Sequence, residues 1–456
     1  MKRIAIGMFL ALAAMSAACG KKETGPLVLV IPRATDGQFW RTVRAGSSQA
    51  AKDQDAYLEW PSDFKPDDIQ GQASVLRSAR MRARVEGRNY VFAFAPVWGV
   101  GFRTLIKGWE QSDFRIDTFD EELTQHDDGV VAERPDADSV MQCPEDFGGL
   151  APASAELLAL RNAGRFVEHV GTLNECAGRA GANVLLAQLQ QKNLGRRANV
   201  AILRLNPLSG STTAREHGFL GVMAQPANEA IASIVSRDHY ALGVGIESSF
   251  QEGLAMIDEM LKQDTPIDAV FCPNESTTTG MLRALENRGL AGKVLFVGFD
   301  QSPILATALW KGWIHALVLQ DPYTMGYKSV RRALDVLKMT KDEYASKVAR
   351  ADFSMNVTQH RVVELAGLEK CQRYAESKGL GTLTGRKLAD ALLADERANE
   401  SKCLNDNGAN CHPMFYTNID ERSKDMGEPG CNLNVLDLLY PPVEIWHLAS
   451  PGRAVK

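Results

Sequence analysis

Three short apolar runs between residues 269 and 321 constrain the fold more than any other stretch. They are 269–272 (AVFC), 294–299 (VLFVGF) and Ala316–Leu319 (ALVL), with stretches of helical pattern between them. Each run is followed closely by a polar residue: Asn274, Asp300 and Gln320. In an open parallel sheet the carboxyl ends of the strands line the ligand crevice. An amide, a carboxylate and a second amide therefore converge on one place. That set suits a neutral ligand rich in hydroxyls, because an OH both donates to and accepts from such groups. Taken singly, each residue reads equally well as a strand-end cap or turn former, where Asn and Asp are common. Three in register point to a site.

The same alternation runs through most of the chain. Apolar runs at 27–32, 56–60, 90–95 and 116–119 alternate with helical patterns at Gln38–Asp53 and 66–86. A second series reads 166–170, helix 174–191, strand 199–205, helix 212–223, strand 230–235 and helix 251–262, and then the three runs above. Pro322 opens a further helix over 322–338, a position where proline is tolerated. Strands alternating with helices imply right-handed crossovers and parallel sheets. The expected fold class is α/β: two doubly wound parallel-sheet lobes joined by a three-crossing hinge, plus a cysteine-containing C-terminal extension. The crossings are expected near Gly171, Gln320 and Asp321, and 352–354. The lobes are then 27–170 plus 321–352, and 171–320 plus 353–366. Two segments stand outside the pattern: an acidic insertion at 124–164, with a helix expected at 154–162, and the tail 367–456, with a helix expected at 383–400.

The words PNESTTTGMLRALENRGLAGKV, VGFDQSP and LQDPYTMGYKSV, in that order and spacing, resemble the second half of a periplasmic sugar-binding protein of the ribose-binding type. The resemblance spans 27–365 and is weakest between Ser74 and Asp113. It implies the periplasmic binding protein type 1 fold, with sugar hydroxyls hydrogen-bonded to Asn274, Asp300 and Gln320. It also implies that Phe39 or Trp40, in ATDGQFWRTV, stacks on the sugar ring, and that Asp120 and Arg215 contact hydroxyls or the ring oxygen. Aromatic rings and guanidinium forks suit those tasks, by covering apolar C–H faces and by offering paired donors. Two departures bear on ring identity. Glu121 stands where the family commonly has Ser or Arg. The aromatic that usually precedes the helix 251–262 is either displaced to Phe250 or absent. Trp98 matches poorly.

Transcription regulators related to the lactose repressor share this fold. A net charge of −5 and no visible helix-turn-helix argue against nucleic acid as a partner. Residues 1–19 (MKRIAIGMFLALAAMSAAC) read instead as a signal peptide: a basic start, a short apolar core and small residues before Cys19. It resembles a lipoprotein signal ending at a lipidated cysteine, although Ser16 stands where Leu is more usual. Residues 20–26 then form a tether. The expected location is the periplasm or cell surface, held to a bacterial membrane through a lipid on Cys19. The partner implied is an ABC transporter permease, which receives the sugar after hinge closure. The alternative is a sensory lipoprotein presenting a bound sugar to a chemoreceptor or sensor kinase.

An oxidising compartment favours disulfides among the other seven cysteines. Cys371, Cys403, Cys411 and Cys431 would supply two, with three connectivities open, and Cys143 with Cys176 a third. Cys272 reads as a buried hydrophobe. No GK[ST] phosphate loop or GxSxG elbow occurs, so the chain reads as a binding protein and not an enzyme. No cofactor or metal is expected: the spacing of Cys403, Cys411 and His412 fits no standard site. A hydrolase acting through the tail is the third reading.

Overall fold

A computed structural model describes residues 25–35, 37–61, 68–86, 90–97, 115–120, 166–243, 245–340, 342, 343, 346, 356–358, 360–383, 385, 387, 388 and 391. Residues 1–24 with Cys19 and the expected signal peptide, the positions Trp98 and Glu121, and the expected insertion at 124–164 lie outside these residues. So do Cys143, Cys403, Cys411, Cys431 and the tail beyond 391.

The apolar runs form two six-stranded sheets of one design. The first has the order β11 (Asn356–Thr358), β5 (Phe166–Thr172), β4 (Arg115–Phe119), β3 (Tyr90–Phe94), β1 (Leu27–Ile31), β2 (Tyr57–Glu59). The second has β12 (Arg361–Glu364), β10 (Ala316–Leu319), β9 (Leu295–Phe299), β8 (Ala269–Phe271), β6 (Ala198–Leu205), β7 (Ala232–Ala241). All neighbours pair in parallel except β12, which runs antiparallel to β10. The chain thus folds as two doubly wound α/β lobes.

Continuous apolar strands need cover on both faces. In the first lobe, helix α1 (Gln38–Asp53) and the later helix Pro322–Leu337 cover one face through Val43, Met325 and Val330. Helix α2 (Ile69–Glu86) covers the other through Ala73, Leu76 and Ala79. In the second lobe, α3 (Asn174–Lys192) and α4 (Gly210–Met223) take one face. Phe271 of β8 stacks on Phe219 of α4 with centroids 4.0 Å apart and meets Phe299 edge-on at 6.1 Å. Burying one such ring contributes about 1.5–3 kcal/mol. A short helix α5 (Pro226–Glu229) leads into β7. On the opposite face lie α6 (Gly245–Lys262), α7 (Glu275–Asn287) and α8 (Pro303–Trp310).

The run 166–170 heads the second series in the sequence pattern but falls within the first of the two expected lobes. It completes the first sheet, since β5 pairs with β4 and the chain leaves that sheet only after Thr172. The third crossing lies between Thr358 and Arg361, not near 352–354, because Asn356–Thr358 still pairs with β5 while Arg361–Glu364 pairs with β10. The second crossing lies at Gln320–Asp321, and Asp321 caps the returning helix α9 (Pro322–Leu337) by accepting from Thr324 N–H. After β12, α10 (Leu365–Ser377) packs Leu368, Cys371 and Ala375 into the second-lobe core, followed by Leu388. Cys176 and Cys371 each take part in a disulfide, whereas Cys272 is a free, fully buried thiol.

One close approach between helices positions Arg215. Helices α3 and α4 cross at Gly178 and Gly218, where a Cβ would sit 1.8 Å from Arg215 O and 2.0 Å from Glu175 O respectively. No side chain fits there, and the contact brings Arg215 beside Asn174 at the start of α3. Beneath it, buried Arg204 donates to Glu216 at 2.6 Å and ties α4 to β6. Burial pushes the Glu216 carboxyl up to about 7 against the pull of Arg204. We expect Gly178→Ala to cost about 1–3 kcal/mol or more through backbone overpacking. Gly367→Ala, with nothing within 4 Å, should be neutral or slightly stabilising. Urea denaturation of the two variants checks the contrast.

Candidate functional site

The seven expected residues line one cleft of about 370 Å³ between the lobes. Phe39, Trp40 and Asp120 come from the first lobe, Arg215, Asn274 and Asp300 from the second, and Gln320 from the crossing. All but Arg215, in the second turn of α4, stand where a strand ends or the following helix starts, the geometry that brings ligands to the carboxyl edge of a parallel sheet.

Asp300 follows β9 and is the hub. Its Oδ1 accepts from Gln320 Nε2 at 2.6 Å, and its Oδ2 accepts from Glu275 N at 2.9 Å. Its φ of +65° turns the chain out of the strand, a conformation that Asp tolerates better than most residues. Asp120 repeats this in the first lobe. It follows β4 with φ +62°, and its N–H donates to Val170 O of the adjacent strand, as Asp300 N–H does to Val318 O. Both carboxyls are pushed above the ordinary range by burial, which disfavours the charged form; Arg215 pulls each back down, joined by Arg33 at Asp120 and by the hydrogen bond from Gln320 at Asp300.

Arg215 is 2% exposed, with the guanidinium carbon 4.7 Å from the Phe299 ring centroid. Its Nε donates to Asn174 Oδ1 at 2.8 Å and its Nη1 to Pro273 O at 2.9 Å. Both partners hold the guanidinium in place at the cleft wall. Gln320 is held as firmly. Its Oε1 accepts from Thr172 Oγ1 at 2.9 Å while its Nε2 binds Asp300, which leaves one amide N–H uncommitted among the described residues.

Asn274 carries the capping role as well as a place in the cleft. Its Oδ1 accepts from Thr277 N at 3.1 Å and from Thr277 Oγ1 at 2.6 Å, and its backbone N–H donates to Thr277 Oγ1 at 3.3 Å, which completes a capping box on α7. Its Nδ2 reaches Ser276 Oγ at 3.1 Å, so one N–H of the amide remains uncommitted among the described residues. Of the two aromatics, Phe39 is mostly core and only 6% exposed. Trp40 keeps more of its surface, braced edge-on by Phe39 at 5.0 Å and by Phe119 at 6.2 Å.

Phe250 does not line this cleft. It packs at the second-lobe core under Arg283, 4.5 Å from the guanidinium carbon. Gly245, Ile246 and Glu247 stand at that wall instead, so an aromatic platform from Phe250 is absent. Arg33 and Glu275 also line the cleft and had no role in the sequence reading. Arg33 follows β1, so the strand-end rule that singled out Asp300 would have found it. Among the described residues no group of three His, Cys, Asp or Glu is placed to hold a metal, and no helix is long and apolar enough to cross a membrane.

Residues 157–341 match the family model described as periplasmic binding protein domain. This part of the chain is similar to that family. The ribose import binding protein of Escherichia coli (strain K12) is 28% identical over 180 residues, 39% of this chain and 55% of that protein. The chain therefore spans about half the length of this curated relative. The D-allose-binding periplasmic protein of the same organism is 22% identical over 315 residues, 68% of this chain and 85% of that protein. Among solved structures, the periplasmic component of an ABC-type sugar transport system from Hahella chejuensis matches with a TM-score of 0.55 and 26% identity. The match covers 74% of this chain and 99% of that one.

The double duty of Asn274 is separable. Asn274→Ala should lower stability by about 1 kcal/mol through loss of the cap, and Asn274→Asp should keep the cap and most of that stability. Thermal unfolding of the two variants without added ligand reads the difference.

Proposed function

We propose that this cleft captures a neutral monosaccharide or related polyol and that the protein delivers it to an ABC transporter permease. The observation that carries this reading is the balance of buried charge. Among the buried side chains of the cleft, Asp120 and Asp300 face Arg33 and Arg215; the Glu275 carboxylate is bonded to the first amides of α1 and Glu247 is exposed, so a ligand needs no net charge to be accommodated. The uncommitted N–H groups of Asn274 and Gln320 supply donors, and the carboxylates supply acceptors. Hydroxyls satisfy both kinds at once. Trp40 offers a flat apolar surface for a sugar C–H face. The relatives named for ribose and allose support a pentose or hexose as the ligand. The absence of Phe250 from the second-lobe wall argues for a ring held by one aromatic side and by Ile246 on the other.

Ligand spanning the two walls favours the closed arrangement of the lobes, and the closed form is what a membrane partner would recognise. The basic, apolar and small-residue sequence ending at Cys19 supports export with lipid attachment, which would keep the receptor beside its permease. In this reading the protein is a receptor with no catalytic step.

A thermal-shift screen against D-ribose, D-allose and a panel of polyols tests the proposal. A true ligand at 100 times its Kd should stabilise the fold by about 2.7 kcal/mol. Asp300→Asn keeps a residue that tolerates the backbone turn but removes a charged acceptor. It should weaken binding about 10- to 100-fold. No shift with any member of the panel would sink the sugar assignment.

Acidity gives a second test. Because burial raises both carboxyls above the ordinary range near 4, the folded protein takes up protons there more readily than the unfolded chain. Their contribution to folding stability is therefore greatest at low pH and declines as pH rises through the folded values. Ligand affinity runs the other way. It should be full with both groups ionised and fall as pH drops through the raised values. Calorimetric titration between about pH 7 and 4 should show affinity lost before the fold unfolds.

A further inference from the structure

Two hydrogen-bonded arms cross the cleft in opposite directions, and neither needs a ligand. Helix α1 of the first lobe starts at Gly37, whose φ of +83° suits glycine and which has no side chain to cap the first turn. The first amides of a helix have no partner within it. Here the second lobe supplies the acceptor. Glu275 Oε1 accepts from Gln38 N and Glu275 Oε2 from Phe39 N, each at 3.0 Å. A carboxylate at a helix N-terminus is favoured by the helix dipole as well as by the bonds. In return, Arg33 of the first lobe donates through Nη1 to Ser209 Oγ of the second at 2.5 Å. Ser209 is fully buried and Arg33 is 6% exposed, so this arm is closed off from water.

Glu275 is also linked to the ligand-facing residues. Its own N–H donates to Asp300 Oδ2, and it directly follows Asn274. The carboxylate that grips α1 is thereby held on the same segment as two residues of the cleft. Opening the lobes would strip two helix amides and one guanidinium N–H of these partners together.

We propose that Glu275 and Arg33 form a two-way clasp that stabilises the closed lobes directly, so that Glu275 sets ligand affinity through closure. Glu275 is a positioning residue in this role. The clasp rests on closure of the lobes, as the proposed function does, but it is measured without any sugar. In the ligand-free protein, Glu275→Ala should raise hydrogen exchange at the Gln38 and Phe39 amides by about tenfold. It should also increase the radius of gyration measured by X-ray scattering. Glu275→Gln, which keeps the shape and weakens the acceptor, should give a smaller change of the same sign and guards against a folding defect in the alanine variant. Ser209→Ala removes the acceptor of the other arm at a residue that does not line the cleft, and should add to the expansion.

With D-ribose or D-allose as the probe, affinity of Glu275→Gln should fall with the closed population, mainly through faster dissociation. Exchange and scattering identical to the parent protein in both Glu275 variants would overturn the clasp, whatever sugar binds. Faster exchange and a larger radius would uphold it even if no sugar on the panel binds.

Discussion

The buried carboxylate of Asp300 is the interaction on which the site and the hinge both depend. One oxygen holds the start of α7 through Glu275 N, and the other holds the amide of Gln320. Gln320 passes the link to Thr172 at 2.9 Å, and Thr172 Oγ1 lies 3.4 Å from Thr358 Oγ1. Thr172, Gln320 and Thr358 each stand beside one of the three passages between the sheets. A single chain of side-chain hydrogen bonds therefore runs from the cleft floor across every connection between the lobes. A buried polar network of this kind is stable only when each member is satisfied, and its members strengthen one another in a low-dielectric setting. Disturbing Asp300 would disturb ligand contacts and hinge geometry together.

The two lobes solve the same local problem in the same way. A strand buried on both faces must deliver a polar group to its exit without leaving that group unpaired. Asp120 and Asp300 do so by a single left-handed residue whose amide still bonds the neighbouring strand. Their carboxylates are then buried, which alone would favour the neutral form. Arg215 offsets that cost for both, and Arg33 adds to it at Asp120. The guanidiniums are themselves anchored, Arg215 by Asn174 and Pro273 and Arg33 by Ser209. The cleft is thus preorganised around fixed charges, so less side-chain freedom remains to be lost on binding.

Much of this was legible in the chain because one physical rule generates it. Apolar runs mark strands buried on both faces, and the polar residue after each run marks the crevice. That rule marks Asn274, Asp300 and Gln320 in the sequence alone, whereas Asp120 is marked by the family resemblance. The rule is not enough where the decisive partner is distant in sequence. Residues 166–170 head a new series in the pattern because the helix Asn174–Lys192 follows at once, yet the strand falls within the first of the two expected lobes and pairs backwards with Arg115–Phe119. The last passage was misplaced for the same reason, since only pairing with β5 shows that Asn356–Thr358 still belongs to the first sheet. Arg33 obeys the same rule, two residues past the end of β1. The grip of Glu275 on α1 has no local signal at all, since its partners are backbone amides more than two hundred positions away.

Asn274 shows why strand-end polar residues resist assignment to a single role. The helix that follows a strand needs a cap at the position nearest the crevice, and an amide there meets both demands. Its oxygen closes the first turn of α7 while one N–H stays uncommitted at the cleft. Capping and ligand recognition are not competing explanations when the group has four hydrogen-bonding positions to distribute. The cap orients the amide, and orientation is what makes the remaining donor selective. The same logic extends to Gln320, where the hinge bonds fix the side chain that faces the ligand. Each residue is therefore immobilised by its structural bonds before a ligand arrives, and the bonds that hold the lobes in register are the ones that aim the site.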